Sequence, residues 1–185
     1  AEMPPACCAF FEREFAPLRC LDATKLPPLP GHPPLRNIAG YQLKGFALAW
    51  SSFDVLLLID ADNIPIRDPS ALFELEPLKR HGNVFWPDTV LMSVIVEHPS
   101  QYAHLSLADG NRKGTVQSFN PRIFDHLGLN RPATLDRVRY ETESGQILVD
   151  RRRVWKALHM AWFLNAREHY FYLYMHGDTG SFPLA

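Results

Sequence analysis

No run of apolar residues in this chain is long enough to cross a bilayer. The longest purely aliphatic stretch, Val55 to Ile59, has five residues, against the roughly 20 that a spanning helix needs. No signal-peptide pattern opens the sequence, which begins at Ala1. A processed chain and a fragment are both open readings, so a missing anchor here says nothing of a longer parent. Cysteine is scarce: Cys7, Cys8 and Cys20 make an odd set with a vicinal pair, neither a disulfide framework nor zinc spacing. Cys8 and Cys20 can pair in an oxidising lumen, and buried or free thiols are the plainer reading. A surplus charge of one sign is lacking too. The net charge of −1 gives no bulk attraction for nucleic acid or a membrane surface. There is no Asn-x-Ser/Thr acceptor, no His-Glu-x-x-His, no Gly-x-Ser-x-Gly and no phosphate-cradling glycine loop.

What remains is an ordinary globular composition, 46% hydrophobic and 21% charged over 185 residues. That length suits one domain with a sizeable core. Ala6 to Phe15 predicts a short helix and Leu18 to Leu21 a short strand. The Pro-rich stretch Leu26 to Leu35 predicts a loop. Leu43, Phe46, Ala47 and Trp50 recur at helical spacing from Tyr41 onward. The aliphatic run Val55–Ile59 then predicts a central strand covered on both faces. Helix followed by buried strand is an α/β signature. Asp68 offers a cap, Pro69 a first helical position, and a helix from Ser70 to Arg80 is expected to stop at Gly82. Val84 to Trp86 predicts a second strand ending at Pro87-Asp88, and Gly145 to Asp150 a third. Thr89 to Arg139 is poorly patterned and reads as a loop-rich insertion. Arg151 to Ala166 reads as a helix, with Val154, Leu158, Ala161 and Trp162 on one face. An aromatic segment, Tyr170 to Tyr174, and a loop from His176 to Gly180 follow.

Asp60-Ala61-Asp62 stands where the first strand runs out. Ligands in open α/β sheets bind beyond the carboxyl ends of strands. Side chains two apart in an extended chain point the same way, so both carboxylates are expected to face one hard cation, Mg²⁺ or Mn²⁺. Such an ion bridging a diphosphate neutralises charge on a departing nucleoside diphosphate. A solvated turn with a helix cap is the plain alternative. Asp88 repeats the theme of an acid at a strand end and is a candidate contact for a sugar hydroxyl, or a surface turn. Arg151, Arg152 and Arg153 either face the diphosphate or open a solvated helix, the second being favoured.

Several ordered pieces resemble one family. They are Gly40-Tyr41-Gln42-Leu43-Lys44, Ser51-Ser52-Phe53, Leu57 through Pro65, Asp68-Pro69, Phe85-Trp86-Pro87-Asp88, Glu143-Ser144-Gly145-Gln146 and His176-Gly177-Asp178. Together they resemble the fungal-type alpha-mannosyltransferases that build mannan side chains in the Golgi. The resemblance implies a GT-A-like sheet flanked by helices, here truncated at its N-terminal side because no convincing nucleotide-binding strand precedes Leu18. It implies a GDP-mannose donor, a mannosylated glycan acceptor, Mn²⁺ (or Mg²⁺) and a retaining transfer. It also implies a Golgi-lumen location as part of a type II membrane protein. Asp60, Asp62 and His176 are the implied metal ligands. Tyr41, Lys44, Asp60, Ala61, Asp62, Ser144, Gly145, Gly177 and Asp178 form the implied donor site. Glu143, Gln146 and Asp88 are the implied catalytic residues. Gln146 can hydrogen-bond a sugar hydroxyl through both ends of its amide, and Gly145 admits close backbone approach.

On this reading residues 40–88 form the donor and metal half of one domain spanning 1–185. Residues 89–140 are an insertion and 141–185 the acceptor half. After Asp178 the family usually continues Lys-Asp-Thr-Phe-Arg, whereas this chain has Thr179-Gly180-Ser181-Phe182-Pro183. A basic residue expected near the diphosphate is missing from that place. Two other readings remain. One is a haloacid-dehalogenase-like phosphatase with Asp60 as nucleophile and Asp62 as general acid; the other is an inactive sugar-nucleotide-binding relic. Ile64 stands where the phosphatase class usually has Thr or Val.

Overall fold

A computed structural model describes residues 3–27, 40–91, 122–130, 140–175 and 177–185. The chain divides into two compact units, Ala1–Ala39 and Gly40–Ala185.

In the first unit, helix α1 spans Pro5–Glu14 with a proline at its first turn and Arg13 in its last. The chain turns at Phe15, whose carbonyl accepts the Leu18 N–H at 2.9 Å. The strand expected over Leu18–Leu21 does not form. The Cys20 amide goes instead to the Glu12 carboxylate at 2.7 Å, so no neighbouring strand is there to take it. A 3₁₀ turn, Ala23–Lys25, is capped by Asp22. The Pro-rich stretch lies outside the described residues from position 28 onward.

The second unit opens with helix α2, Gln42–Trp50. Its buried face is Gly45, Phe46, Leu48 and Ala49. Ala47, expected on that face, is exposed, and Trp50 instead stacks on Phe46 at 4.9 Å between ring centroids. Strand β1, Val55–Ile59, follows. The expected Ser70–Arg80 helix is split in two: a 3₁₀ segment, Pro69–Glu74, and helix α3, Glu76–His81. Pro77 in the first turn of α3 restarts the helix from an extended Leu75. The Asp68 cap forms as expected, accepting the Ser70 amide at 2.9 Å. Gly82 ends α3 at φ +81, the left-handed geometry that only glycine adopts cheaply.

Strand β2, Asn83–Leu91, runs four residues past its expected end at Pro87. Pro87 is tolerated because β2 lies at an edge of the described sheet, where a missing N–H costs little. Helix α4, Arg122–Leu127, is described within the expected insertion, most of which falls outside the described residues. Strand β3, Tyr140–Asp150, starts five residues before the segment expected. Helices α5, Trp155–Asn165, and α6, Glu168–Phe171, come next. Helix α7, Gly177–Leu184, replaces the loop expected there. Its glycines and Pro183 argue against a helix locally; burial of Asp178, Gly180, Ser181 and Phe182 outweighs that preference.

The described sheet has the order β1-β3-β2, antiparallel throughout. The fold is therefore mixed α/β, as expected. However, β1 is an edge strand of the described sheet and half-buried, not central and fully covered. Leu56 and Leu58 pack with Ile147 and Val149 against Leu48, Leu158, Ala161 and Phe182 of the covering helices. A second core joins Ile123 and Phe124 to Leu164, Phe171 and Met175.

The three arginines act as staples at the end of β1 away from Asp60. Arg151 donates to the Ala49 and Phe53 carbonyls at 2.6 and 3.1 Å. Arg153 donates to those of Leu78, Lys79 and Arg80 at 3.1, 2.5 and 2.9 Å. The Ala49, Lys79 and Arg80 carbonyls are among those that a helix end leaves unpaired. Arg152 pairs with Asp54 at 3.3 Å. They sit beside Asp150, the ladder partner of Val55, not beside the Asp-Ala-Asp turn.

Candidate active site

The end of β1 is shaped by an irregularity in β3. Phe85 pairs with Ile147, yet the next residue of β2, Trp86, pairs with Glu143. Ser144, Gly145 and Gln146 thus have no counterpart on β2, and β3 bulges there while still pairing Gln146 with Ile59 of β1. Bulges re-aim side chains and recur beside active sites. The Glu143 carboxylate folds back to accept the Gly145 amide at 2.5 Å.

Asp60-Ala61-Asp62 is not extended. The Asp60 amide donates to the Gly145 carbonyl at 2.8 Å, and the Asn63 amide returns to the Asp60 carbonyl at 3.0 Å, closing a tight turn. The two aspartates therefore differ: Asp60 is half-buried, and Ala61 and Asp62 are exposed. Two-residue alternation holds only for an extended chain, so it does not apply here. Asn63, which the sequence reading did not single out, pins the turn to the bulge through Nδ2 to the Gly145 carbonyl at 2.8 Å. An Asn just after a strand-end turn is a signal for such a bridge.

Gly145 is required by space. A Cβ there would stand 2.7 Å from Glu143 Oε1 and 2.8 Å from Asn63 Nδ2. Gly145→Ala must therefore displace both the Glu143 carboxylate and the Asn63 amide. It is expected to cost about 1–3 kcal/mol of stability, read as a lowered urea midpoint. A variant indistinguishable from the parent would mean the bulge is free to open.

Lys44 is the hub of the site. Its Nζ reaches Asp60 Oδ2 at 2.7 Å and donates to Ser144 Oγ at 2.9 Å. Asp178 Oδ2 lies 3.5 Å away, a charge partner without a hydrogen bond. Burial of the ammonium works against its charge. The hydrogen bond to Asp60 and the negative charges of Asp178 and Asp60 outweigh burial, and hold the Lys44 pKa above its ordinary value. Asp178 is 2% exposed and lies in the first turn of α7, where the helix dipole favours an anion.

A buried polar chain holds Asp178 in place. The Ser181 hydroxyl donates to the Asp178 carbonyl at 2.6 Å, and Asn165 Nδ2 donates to Ser181 Oγ at 2.7 Å. The Tyr172 hydroxyl donates to Asn165 Oδ1 at 2.6 Å. Burial, then the charges of Asp178 and Glu168 and the nearby Tyr41, push the Tyr172 pKa up, so it stays a donor. Asn165, Tyr172 and Ser181, contributed by separate segments of the chain, carry no motif that marks them in the sequence.

Of the residues expected at the site, Lys44, Asp60, Glu143, Ser144, Gly145 and Asp178 come together. Gln146 lies beside them in β3, half-buried. Tyr41 is exposed at the start of α2, and Gly177 opens α7. Asp88 is half-buried in β2, one step beyond Pro87, which pairs with Thr142. His176 lies outside the described residues. Among the described residues no three His, Cys, Asp or Glu side chains group as a metal cage. A Mg²⁺-type ion nonetheless needs only one or two protein carboxylates beside substrate phosphates. Asp60 and the exposed Asp62 supply hard oxygen donors of that kind. Among the described residues the turn and bulge bring Asp60 and, from α7, Asp178 to the Lys44 ammonium, with the Glu143 carboxylate folded onto the Gly145 amide of the same bulge.

Residues 22–185 match the family described as "Mannosyltransferase putative". The chain is 32% identical to alpha-1,2-mannosyltransferase MNN21 of Candida albicans, over 76% of this chain and 23% of that protein. It is 32% identical to MNN24 of the same organism, over 78% of this chain and 21% of that protein. Alpha-1,2-mannosyltransferase MNN2 of Saccharomyces cerevisiae is 42% identical over a shorter stretch, 40% of this chain and 12% of the relative. The chain thus spans under a quarter of the length of these relatives. The resemblance drawn from Gly40 through Asp178 is borne out: the chain belongs to this family of mannosyltransferases.

Proposed function

We propose that the chain carries the donor site of an alpha-mannosyltransferase. It would move mannose from GDP-mannose to a mannose-containing glycan, with a divalent cation and with retention, on a GT-A-type framework. The observation that carries this reading is the Lys44–Asp60–Ser144–Asp178 cluster at the end of β1, in a chain of mannosyltransferase ancestry. Asp60 and Asp62, with His176, would hold Mn²⁺ or Mg²⁺; bound there, the ion supplies charge neutralisation for the departing nucleoside diphosphate.

The chain's own residues do the rest. Lys44 places a fixed positive charge beside Asp60 and Asp178, at the place where the residues after Asp178 lack one. Its preorganised charge favours the leaving diphosphate without reorganisation. Gly145 presents bare backbone, and Gln146, Glu143 and Asp88 are the polar groups offered to the sugar and acceptor hydroxyls. The aspartyl-nucleophile reading of Asp60 is given up on the family match. Golgi placement, through an anchor in a longer parent, belongs to the same proposal. Among the described residues no helix is long and apolar enough to cross a membrane.

The test is thermal denaturation with a panel of sugar nucleotides, with and without Mn²⁺. GDP-mannose with Mn²⁺ is expected to raise the melting temperature, by linkage of binding to folding, and UDP-sugars are not. No shift with any sugar nucleotide sinks donor binding. A shift without mannose transfer to a mannoside acceptor supports the binding relic instead.

A further inference from the structure

The mannosyl-transfer reading leaves one cluster unused, the two cysteines of the first unit. Among residues 3–27 every side chain is exposed except Cys8, Phe11, Cys20, Ala23 and Leu26, which are half-buried. Helix α1 buries no residue completely. Cys8 and Glu12 stand one helical turn apart on α1 and share a face. Glu12 takes the backbone N–H of Cys20 at 2.7 Å, which brings the returning chain onto that face. Cys8 and Cys20 thereby lie on neighbouring stretches of one face, and both are free thiols. Cys8 and Cys20 thus belong to what little interior these residues have, and Cys7, next in sequence, is exposed.

We propose that Cys8 and Cys20 are a disulfide site that staples α1 to the returning segment in an oxidising compartment. Compact units this small bury too little surface to hold a fold by packing alone, and secreted chains answer with disulfides. The closed loop would restrict the unfolded chain. The oxidant is a small-molecule disulfide such as oxidised glutathione. One cysteine sulfur attacks it as thiolate, forming a mixed disulfide and releasing one reduced glutathione. The second cysteine sulfur then displaces the other, so two thiols and one glutathione disulfide give one protein disulfide and two glutathione thiols. Interaction with the Cys8 thiol, burial and the charges of Cys8 and Glu12 push the Cys20 thiol up to about 11, so it is protonated at neutral pH before exchange begins.

The test equilibrates the full chain in a glutathione buffer of secretory-compartment poise, blocks residual thiols and maps tryptic peptides without reduction. Cleavage after Arg13, Arg19 and Lys25 separates residues 1–13, with Cys7 and Cys8, from residues 20–25, with Cys20. The expected product is the 1–13/20–25 linked pair, lighter by two hydrogens than its free peptides. It should form equally in Cys7→Ser and be lost in Cys8→Ser. Free or glutathione-capped thiols in the parent would overturn the proposal, as would a Cys7–Cys8 bridge or an undiminished linked pair in Cys8→Ser. None of these outcomes depends on the donor site.

Discussion

Lys44→Met is expected to cost about 3 kcal/mol of folding stability, because it leaves a buried carboxylate without its cation. Asp178 is 2% exposed, its Oδ2 has no hydrogen-bond donor, and Lys44 is its ion-pair partner at 3.5 Å. Methionine keeps much of the aliphatic stem and removes the charge, so packing changes little. Urea unfolding reads the effect as a lower midpoint at unchanged slope. Adding Asp178→Asn to the same chain should recover most of the loss, since the neutral amide needs no counter-charge. That recovery separates charge pairing from shape. A single variant as stable as the parent would mean that Asp178 is neutral or wet, and the hub would lose its electrostatic basis.

Asp60→Asn is expected to abolish the Mn²⁺-dependent thermal shift with GDP-mannose and to lower mannose transfer by roughly 10²–10³-fold. Its backbone contacts, the amide to Gly145 and the carbonyl to Asn63, survive the change, and an amide oxygen can still accept from Lys44. Unfolding in the absence of ligand should move far less than for Lys44→Met. The comparison distinguishes a ligand-binding carboxylate from a structural one. A full thermal shift retained by Asp60→Asn would show that the cation is held elsewhere.

Much of this site could be read from the sequence because its parts carry local signals. Leu43 through Trp50 announce α2, Val55–Ile59 announces β1, and an aspartate at the strand end marks the candidate site. Continuous aliphatic character, however, reports neither full burial nor position in a sheet, since Val55–Ile59 is half-buried with Ile59 exposed. It did not reveal that β1 pairs antiparallel at an edge of the described sheet. Nor does an Asp-x-Asp spacing reveal a turn: Asp62 is turned to solvent because Asn63 ties its own amide and side chain to Asp60 and Gly145. Pro77 and Pro87 mark a helix restart and an edge strand, signals that a reading by hydrophobic period passes over. The last helix was hidden behind Gly177, Gly180 and Pro183, where tertiary burial overrides propensity.

The contact between Lys44 and Ser144 joins residues one hundred positions apart. Loop-closure entropy must be met before such a contact can form, so the site is among the most non-local parts of the molecule. A peptide carrying Asp60-Ala61-Asp62, even with its preceding strand, would lack the bulge that sets the turn and the helix α2 that supplies Lys44. The motif can travel between sequences as a string of letters. The cluster around Lys44 belongs to the folded topology and cannot be excised with it.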